Sequence, residues 1–271
     1  MIRNGIPLSS NLLVWILDLD GVVYRGKERQ PHAREFVLRL RSSGCLVRFL
    51  TNKAAHSRHD YVRALASMDI PVTRDEIMTS GYATALYLAE QGAAGKTVYR
   101  IGEGGIDEEL RAVGVRVLKD GDSPEAHVDY VVVGMDRRFN YAKLARAQKA
   151  ILEGARFIAT NEDPTLPVEG GALLPGAGCM VAAVRAATSV EPIVIGKPET
   201  YSVEKILEET GAPPERAVVV GDRLDTDILA GNRAGTTTIL VLTGATSREQ
   251  AEAAIGEMKP DRIVETLGEL M

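Results

Sequence analysis

Asp18 and Asp20 stand two residues apart at the end of the apolar run Val14–Leu17, and Gly21 follows at once. In an extended chain, residues i and i+2 point to the same side, although the glycine signals that the strand is already ending there. A carboxylate at the rim of an apolar strand loses hydration that something must replace, so the pair invites a cation or a shared proton. Alone, it reads equally well as two solvated acids in a loop. Three other places carry polar groups where an apolar run stops: Thr51-Asn52 after Leu46–Leu50, Lys197 after Ile193–Ile195, and Asp222, Asp225 and Asp227 after Ala217–Val220. Thr51-Asn52 taken singly is an ordinary helix N-cap. Taken together, hard carboxylate oxygens suit Mg²⁺, and a metal among three carboxylates offsets their repulsion. Lys197 and the Thr51 hydroxyl remain to hold an anion. A carboxylate nucleophile, Mg²⁺ and a lysine are the parts that phosphoryl transfer needs, because that chemistry is mostly positioning and charge neutralisation.

Such residues work together only if the strand ends lie on one edge of a sheet. The apolar runs that precede them read as buried strands: Val14–Leu17, Leu46–Leu50, Glu76–Thr79, Ile193–Ile195, Ala217–Val220 and Thr237–Leu242, with Ile263-Val264 marginal. Helical spacing separates them, as in Ala33, Phe36, Val37 and Leu40, closed by Gly44, and in Tyr61–Met68. Val22–Gly26 reads as a short hairpin or loop. After the small-residue stretch Gln91–Gly95 the alternation restarts, with strands over Thr97–Ile101, Val115–Leu118, Tyr130–Val133 and Arg156–Thr160 and helices over Ile106–Val113 and Tyr141–Leu152. Asn161–Gly178 reads as a turn-rich loop and Cys179–Ala187 as a helix. Alternating strands and helices imply parallel pairing. The expectation is one α/β domain, residues 1–91 and 191–271, split by a second, residues 92–190.

At 271 residues the chain can hold one large domain or two modest ones. A net charge of −5 argues against a general nucleic-acid surface. Cys45 and Cys179, the only cysteines, suggest neither a zinc site nor a disulfide framework. The apolar run from Leu12 is cut at Asp18, far short of the ~20 residues of a membrane span, and the first residues lack the features of a signal peptide. The expectation is a cytoplasmic protein with no nucleic-acid or membrane partner. Gly176-Ala177-Gly178 has Val181 where a dinucleotide loop needs its third glycine, and is set aside. His56 and His59 read as a solvated helix face, Arg137 and Arg138 as surface arginines, and Lys53 as solvent-facing.

The motifs resemble those of the haloacid dehalogenase-like (HAD) phosphohydrolases, in the NagD-like branch of p-nitrophenyl-, phosphoglycolate and pyridoxal-phosphate phosphatases. Asp18–Val22 matches Asp-x-Asp-Gly-Val, Thr51-Asn52 the second motif, Gly196-Lys197-Pro198 the third, and Gly221–Ile228 the fourth. The likeness extends through Ile101–Gly105, Val133–Asp136 and Ala159–Pro164, and departs where Lys53-Ala54 replaces Asn-Ser. It implies a Rossmann-like parallel-sheet HAD core with an inserted α/β cap domain that closes over the site and chooses the substrate. It further implies Asp18 as nucleophile, forming an aspartyl phosphate, and Asp20 as general acid and then base. Mg²⁺ would be held by Asp18, the Asp20 carbonyl and Asp222, supported by Asp227. Thr51, Asn52 and Lys197 would bind the phosphoryl group. Asp225 could instead be a solvated acid. The implied partner is a small phosphorylated metabolite, with a homodimer as the assembly to test for. The competing class is a non-hydrolytic phospho-acceptor or metabolite-binding module of the same fold.

Overall fold

The computed structural model describes residues 14–118, 122–123, 125–167 and 172–271. The start of the apolar run at Leu12 and Leu13, the N-terminal stretch read for a signal peptide, and residues 168–171 of the turn-rich loop lie outside the described residues. In chain order the strands are β1 (Val14–Asp18), β2 (Tyr24–Arg25), β3 (Glu28–Arg29), β4 (Leu46–Thr51), β5 (Ile77–Thr79), β6 (Thr97–Ile101), β7 (Arg116–Val117), β8 (Tyr130–Val133), β9 (Arg156–Ala159), β10 (Thr165–Pro167), β11 (Leu173–Pro175), β12 (Ile193–Val194), β13 (Ala217–Gly221), β14 (Thr237–Val241) and β15 (Arg262–Val264). They fall into two compact units. Among the described residues no helix is long and apolar enough to cross a membrane.

The first unit takes in residues 14–51, 62–78 and 197–271. Its sheet runs β15-β14-β13-β1-β4-β5, and β1 lies parallel to both β13 and β4, with β13, β14 and β15 parallel in turn. Every residue of β1 and of β13 is buried. That burial explains the near-continuous apolar runs, since central parallel strands are covered on both faces. Trp15 meets the Phe36 ring edge-on at 5.4 Å, which seats the helix Ala33–Ser42 against β1. The chain builds outward from β1 in both directions, first to β4 and β5, then to β13, β14 and β15. The strand order therefore reverses between β1 and β13, and the crevice outside the carboxyl ends at such a reversal is where open α/β sheets bind ligands. The marginal strand Ile263-Val264 is real and pairs with β14. The hairpin or loop expected over Val22–Gly26 is a hairpin of β2 with β3 that extends to Arg29.

The second unit takes in Asn52–Tyr61 and residues 79–196. Its parallel sheet runs β12-β9-β8-β6-β7. Tyr99, Val131, Val133 and Phe157 form a core with Ala147 and Ile151 of the helix Tyr141–Leu152 and Val181 and Val184 of the helix Ala177–Thr188. Three local expectations are corrected. Ile193–Ile195, expected as a buried strand of the β1 sheet, gives β12, which pairs with β9 of this second sheet and is partly exposed, since it lies at the sheet's edge. The loop expected over 161–178 contains an antiparallel ribbon, with Thr165 opposite Pro175 and Pro167 opposite Leu173. Prolines hid it, yet a two-stranded ribbon has only edges, where proline is tolerated. The helix expected at Tyr61–Met68 spans Arg58–Ala66. Ser57 and Asp60 start it early: the Asp60 carboxylate accepts from both the Ser57 N–H and hydroxyl at 2.9 Å, and the Asp60 N–H donates back to Ser57 Oγ.

Candidate active site

The carboxyl ends of β1 and β13 bring four charged groups together. Asp18 is the last residue of β1, and Asp222 follows β13 directly. A single π turn over Leu224–Ile228 carries Asp227 back beneath the strand end. There its approach requires Gly221, where a Cβ would lie 2.0 Å from that of Asp227. Lys197 enters from the segment before the helix Tyr201–Thr210, and its ammonium lies 2.6 Å from Asp18 Oδ1 and 2.5 Å from Asp227 Oδ1. The second oxygen of Asp227 accepts from the backbone N–H groups of Asp222 at 3.3 Å and Arg223 at 3.1 Å. All four side chains are buried, Lys197 to 3% exposure.

The electrostatics follow from three acids around one base. Burial, then the repulsion of Asp227 and Asp222, holds the Asp18 carboxyl well above the usual carboxylate range, against the pull of Lys197. Burial and the charge of Asp227 push Asp222 up to about 7, opposed by the Ala245 N–H, Lys197 and Arg223. Burial pulls the Lys197 ammonium down, but the Asp18 and Asp227 carboxylates outweigh it and keep the group firmly protonated. The cluster thus holds more negative charge than its one ammonium can balance. Asp18, Asp222 and Asp227 each offer an oxygen within 4.8 Å of the others. A hard divalent cation fits that all-oxygen donor set.

The remaining sequence-predicted residues sort by position. Thr51 ends β4, one residue beyond the Leu50 that pairs with Asp18, and is buried. Asp20 is half-buried in the turn after β1, where the N–H groups of Val23 and Tyr24 both donate to the Leu19 carbonyl. Asn52 groups with the second unit, where its amide donates to both oxygens of Asp163, at 3.1 and 3.2 Å. Its carbonyl accepts from the Asn161 amide at 2.7 Å and from Ser80 Oγ. Asp225 stands outside the cluster and forms a two-pronged pair with the Arg223 guanidinium at 3.1 and 2.8 Å. His56 precedes the helix expected to carry it and stacks edge-on with Tyr61, while His59 pairs with Glu108. Arg137 pairs with Glu103.

Two parts of this geometry went unread in the sequence. Asp163, which lies within the Ala159–Pro164 likeness but was given no role there, is one, and the loop after β14 is the other: the Ala245 N–H donates to Asp222 Oδ2 at 2.7 Å. The signal was available, since Leu242-Thr243-Gly244 repeats the pattern of an apolar strand ended by a hydroxyl residue.

Comparison with known proteins places this geometry in a family. Residues 15–116 match the description "Haloacid dehalogenase-like hydrolase", and residues 194–270 a second HAD-hydrolase-like description. The 5'-nucleotidase YutF of Bacillus subtilis is 38% identical over 255 residues, covering 94% of this chain and 96% of its own. The 4-nitrophenylphosphatase of Thermotoga maritima superposes with a TM-score of 0.89 at 34% identity, covering 97% of this chain and 98% of its own. A glycerol phosphate phosphatase of Mycobacterium tuberculosis, solved in complex with magnesium, superposes with a TM-score of 0.88 at 35% identity, covering 98% of this chain and 78% of its own. With relatives this similar over nearly the whole of this chain, and both halves of the first unit matched, the chain belongs to the haloacid dehalogenase-like hydrolases and is a phosphatase of their p-nitrophenylphosphatase-like branch.

Proposed function

We propose that the chain hydrolyses small phosphate monoesters in two steps through an aspartyl phosphate on Asp18, with Mg²⁺ as cofactor. The observation that carries this reading is the Lys197 ammonium bridging Asp18 and Asp227 inside a buried group of three carboxylates at the β1/β13 reversal. Asp18 and Asp222, with the backbone carbonyl of Asp20, would hold the cation. When bound, Mg²⁺ neutralises charge on the phosphoryl oxygens and keeps the nearby carboxylates ionised.

The chain's own residues do the rest. Lys197 holds one oxygen of Asp18, which fixes the carboxylate's orientation for attack on phosphorus. The bond from Asp18 to phosphorus forms as the bond to the leaving oxygen breaks, and Asp20 delivers a proton to that oxygen. A water molecule then attacks the same phosphorus, gives its proton to Asp20, and frees inorganic phosphate and the Asp18 carboxylate. Thr51, Asn52 and Lys197 donate to the phosphoryl oxygens. Both oxygens of Asp227 are occupied, by Lys197 and by two backbone N–H groups, so Asp227 supports the cluster and keeps Lys197 in place.

Residues 92–190 are assigned as the cap that selects the substrate. Support comes from their separate hydrophobic core and from their insertion between Thr51 and Lys197. The names of the relatives, a nucleotidase and a glycerol phosphate phosphatase among them, fit a shared reaction with varied leaving groups. The test is turnover of p-nitrophenyl phosphate with Mg²⁺, with EDTA, and with Asp18→Asn. Hydrolysis should stop in EDTA and in the variant. Wild-type turnover in the variant would refute the nucleophile, and phosphate retained on the chain without turnover would indicate a phospho-acceptor instead.

A further inference from the structure

Asp222 is gripped by backbone. A Cβ placed on Gly244 would lie 1.9 Å from Asp222 Oδ2 and 2.4 Å from its Cγ, and one on Gly21 would lie 2.4 and 2.6 Å from the same atoms. Neither position admits a side chain unless the carboxylate moves, and Gly21 also has φ +84°. Next to Gly244 in the chain, the Ala245 N–H donates to Asp222 Oδ2, and the Thr246 N–H donates to the Asp222 carbonyl at 3.2 Å. The direction in which Asp222 presents its oxygens is therefore set by the loop after β14.

One side chain fastens that loop. The Thr243 hydroxyl donates to the Gly21 carbonyl, and Gln30 Nε2 donates to the Thr243 carbonyl at 3.2 Å. Thr243 thus joins the segment that follows Asp20 to the segment that grips Asp222. The two glycines it spaces are those packed against the carboxylate, with Gly244 Cα 3.0 Å from where a Gly21 Cβ would stand.

We propose that Thr243 is a positioning residue for the cation site: its hydroxyl sets the spacing of Gly21 against Gly244-Ala245 and so the orientation of the Asp222 carboxylate. Thr243 is given no contact with substrate in this account, which rests on the Mg²⁺ reading above. A carboxylate's affinity for a metal depends on the groups that orient it, and removal of such a group typically weakens binding about 10- to 100-fold. Thr243→Val keeps the shape and deletes the donor. Thr243→Ser restores the donor with less packing.

The experiment titrates Mn²⁺, a paramagnetic probe for Mg²⁺ sites, into the metal-stripped full chain and follows free Mn²⁺ by electron paramagnetic resonance. The Kd should rise about tenfold or more in Thr243→Val and return to within about threefold of wild type in Thr243→Ser. At saturating Mg²⁺ the KM of Thr243→Val for p-nitrophenyl phosphate should stay near that of wild type. An unchanged Kd in Thr243→Val overturns the proposal, as does a Kd for Thr243→Ser as weak as for Thr243→Val. A lower metal-free melting temperature with unchanged Kd would assign Thr243 to the fold alone, and also overturns it. If Thr243→Val does not fold, Gln30→Leu, which removes the donor to Thr243, should weaken Mn²⁺ in the same direction, and an unchanged Kd there refutes the proposal. Failure of the wild-type chain to bind Mn²⁺ would refute the Mg²⁺ reading itself, a different result from wild-type binding that Thr243→Val retains.

Discussion

Replacing Lys197 by Met removes the one cation from a buried group of acids while keeping much of the side-chain volume. The ammonium lies 2.6 Å from Asp18 and 2.5 Å from Asp227. Removing one partner of a buried pair costs about 3–5 kcal/mol, because the other charge is left uncompensated. Here two carboxylates lose the same partner, but the cost has a ceiling. Burial and its acidic neighbours already hold the Asp18 carboxyl well above its ordinary range, so in the variant it takes up a proton rather than stay charged. That places the loss near the lower end, about 3 kcal/mol without metal. For a folded unit of this size the melting temperature should fall by about 6–12 °C. Activity at saturating Mg²⁺ should fall further, by about a hundredfold or more, since Asp18 loses the group that orients it for attack and phosphoryl charge lacks its donor. The assays are thermal unfolding in EDTA and in Mg²⁺, and p-nitrophenyl phosphate turnover at saturating Mg²⁺. Added Mg²⁺ should recover part of the lost stability, because a bound cation again offsets the acids, without recovering the rate. A variant that melts within about 2 °C of wild type in EDTA, or turns over within about tenfold of it, would refute the reasoning.

Asp20→Asn should separate the two chemical steps. With p-nitrophenyl phosphate, whose leaving group hardly needs an acid, a burst of nitrophenolate near one per site should precede a slow steady rate, visible by rapid-mixing absorbance. Equal slowing with alkyl phosphates and no burst would assign Asp20 to the metal or the fold. Exchanging residues 92–190 for those of a relative should move the substrate profile across a panel of phosphorylated metabolites and leave Mg²⁺ dependence intact. An unmoved profile would put selectivity outside residues 92–190.

The strands and their chemistry were legible because both signals are local. Val14–Leu17 and Ala217–Val220 are apolar, β-branched and ended by acids, and each is buried in the centre of the parallel sheet. The helix stop at Gly44, at φ +78°, was equally readable, since few other residues take that conformation. The ribbon at Thr165–Pro175 was not, because its prolines argue for turns until a partner strand is known.

By itself, then, the sequence determined that Val14–Leu17, Leu46–Leu50 and Ala217–Val220 become strands ended by polar groups, since an apolar run and its polar termination are properties of a few consecutive residues. It did not show that Ile193-Val194, just before Lys197, joins the other sheet. It favoured Asp227 over Asp225 only through the family resemblance, and could not say what either touches. Only the π turn over Leu224–Ile228 decided that Asp227 meets Lys197 while Asp225 pairs with Arg223. Nor could it attach Ala245 to Asp222 or Asp163 to Asn52, partners 23 and 111 residues apart. Side-chain direction at a strand end depends on the turn that follows it, and long-range partners depend on which loops the sheet order brings to one edge. Both are settled only when the tertiary structure forms.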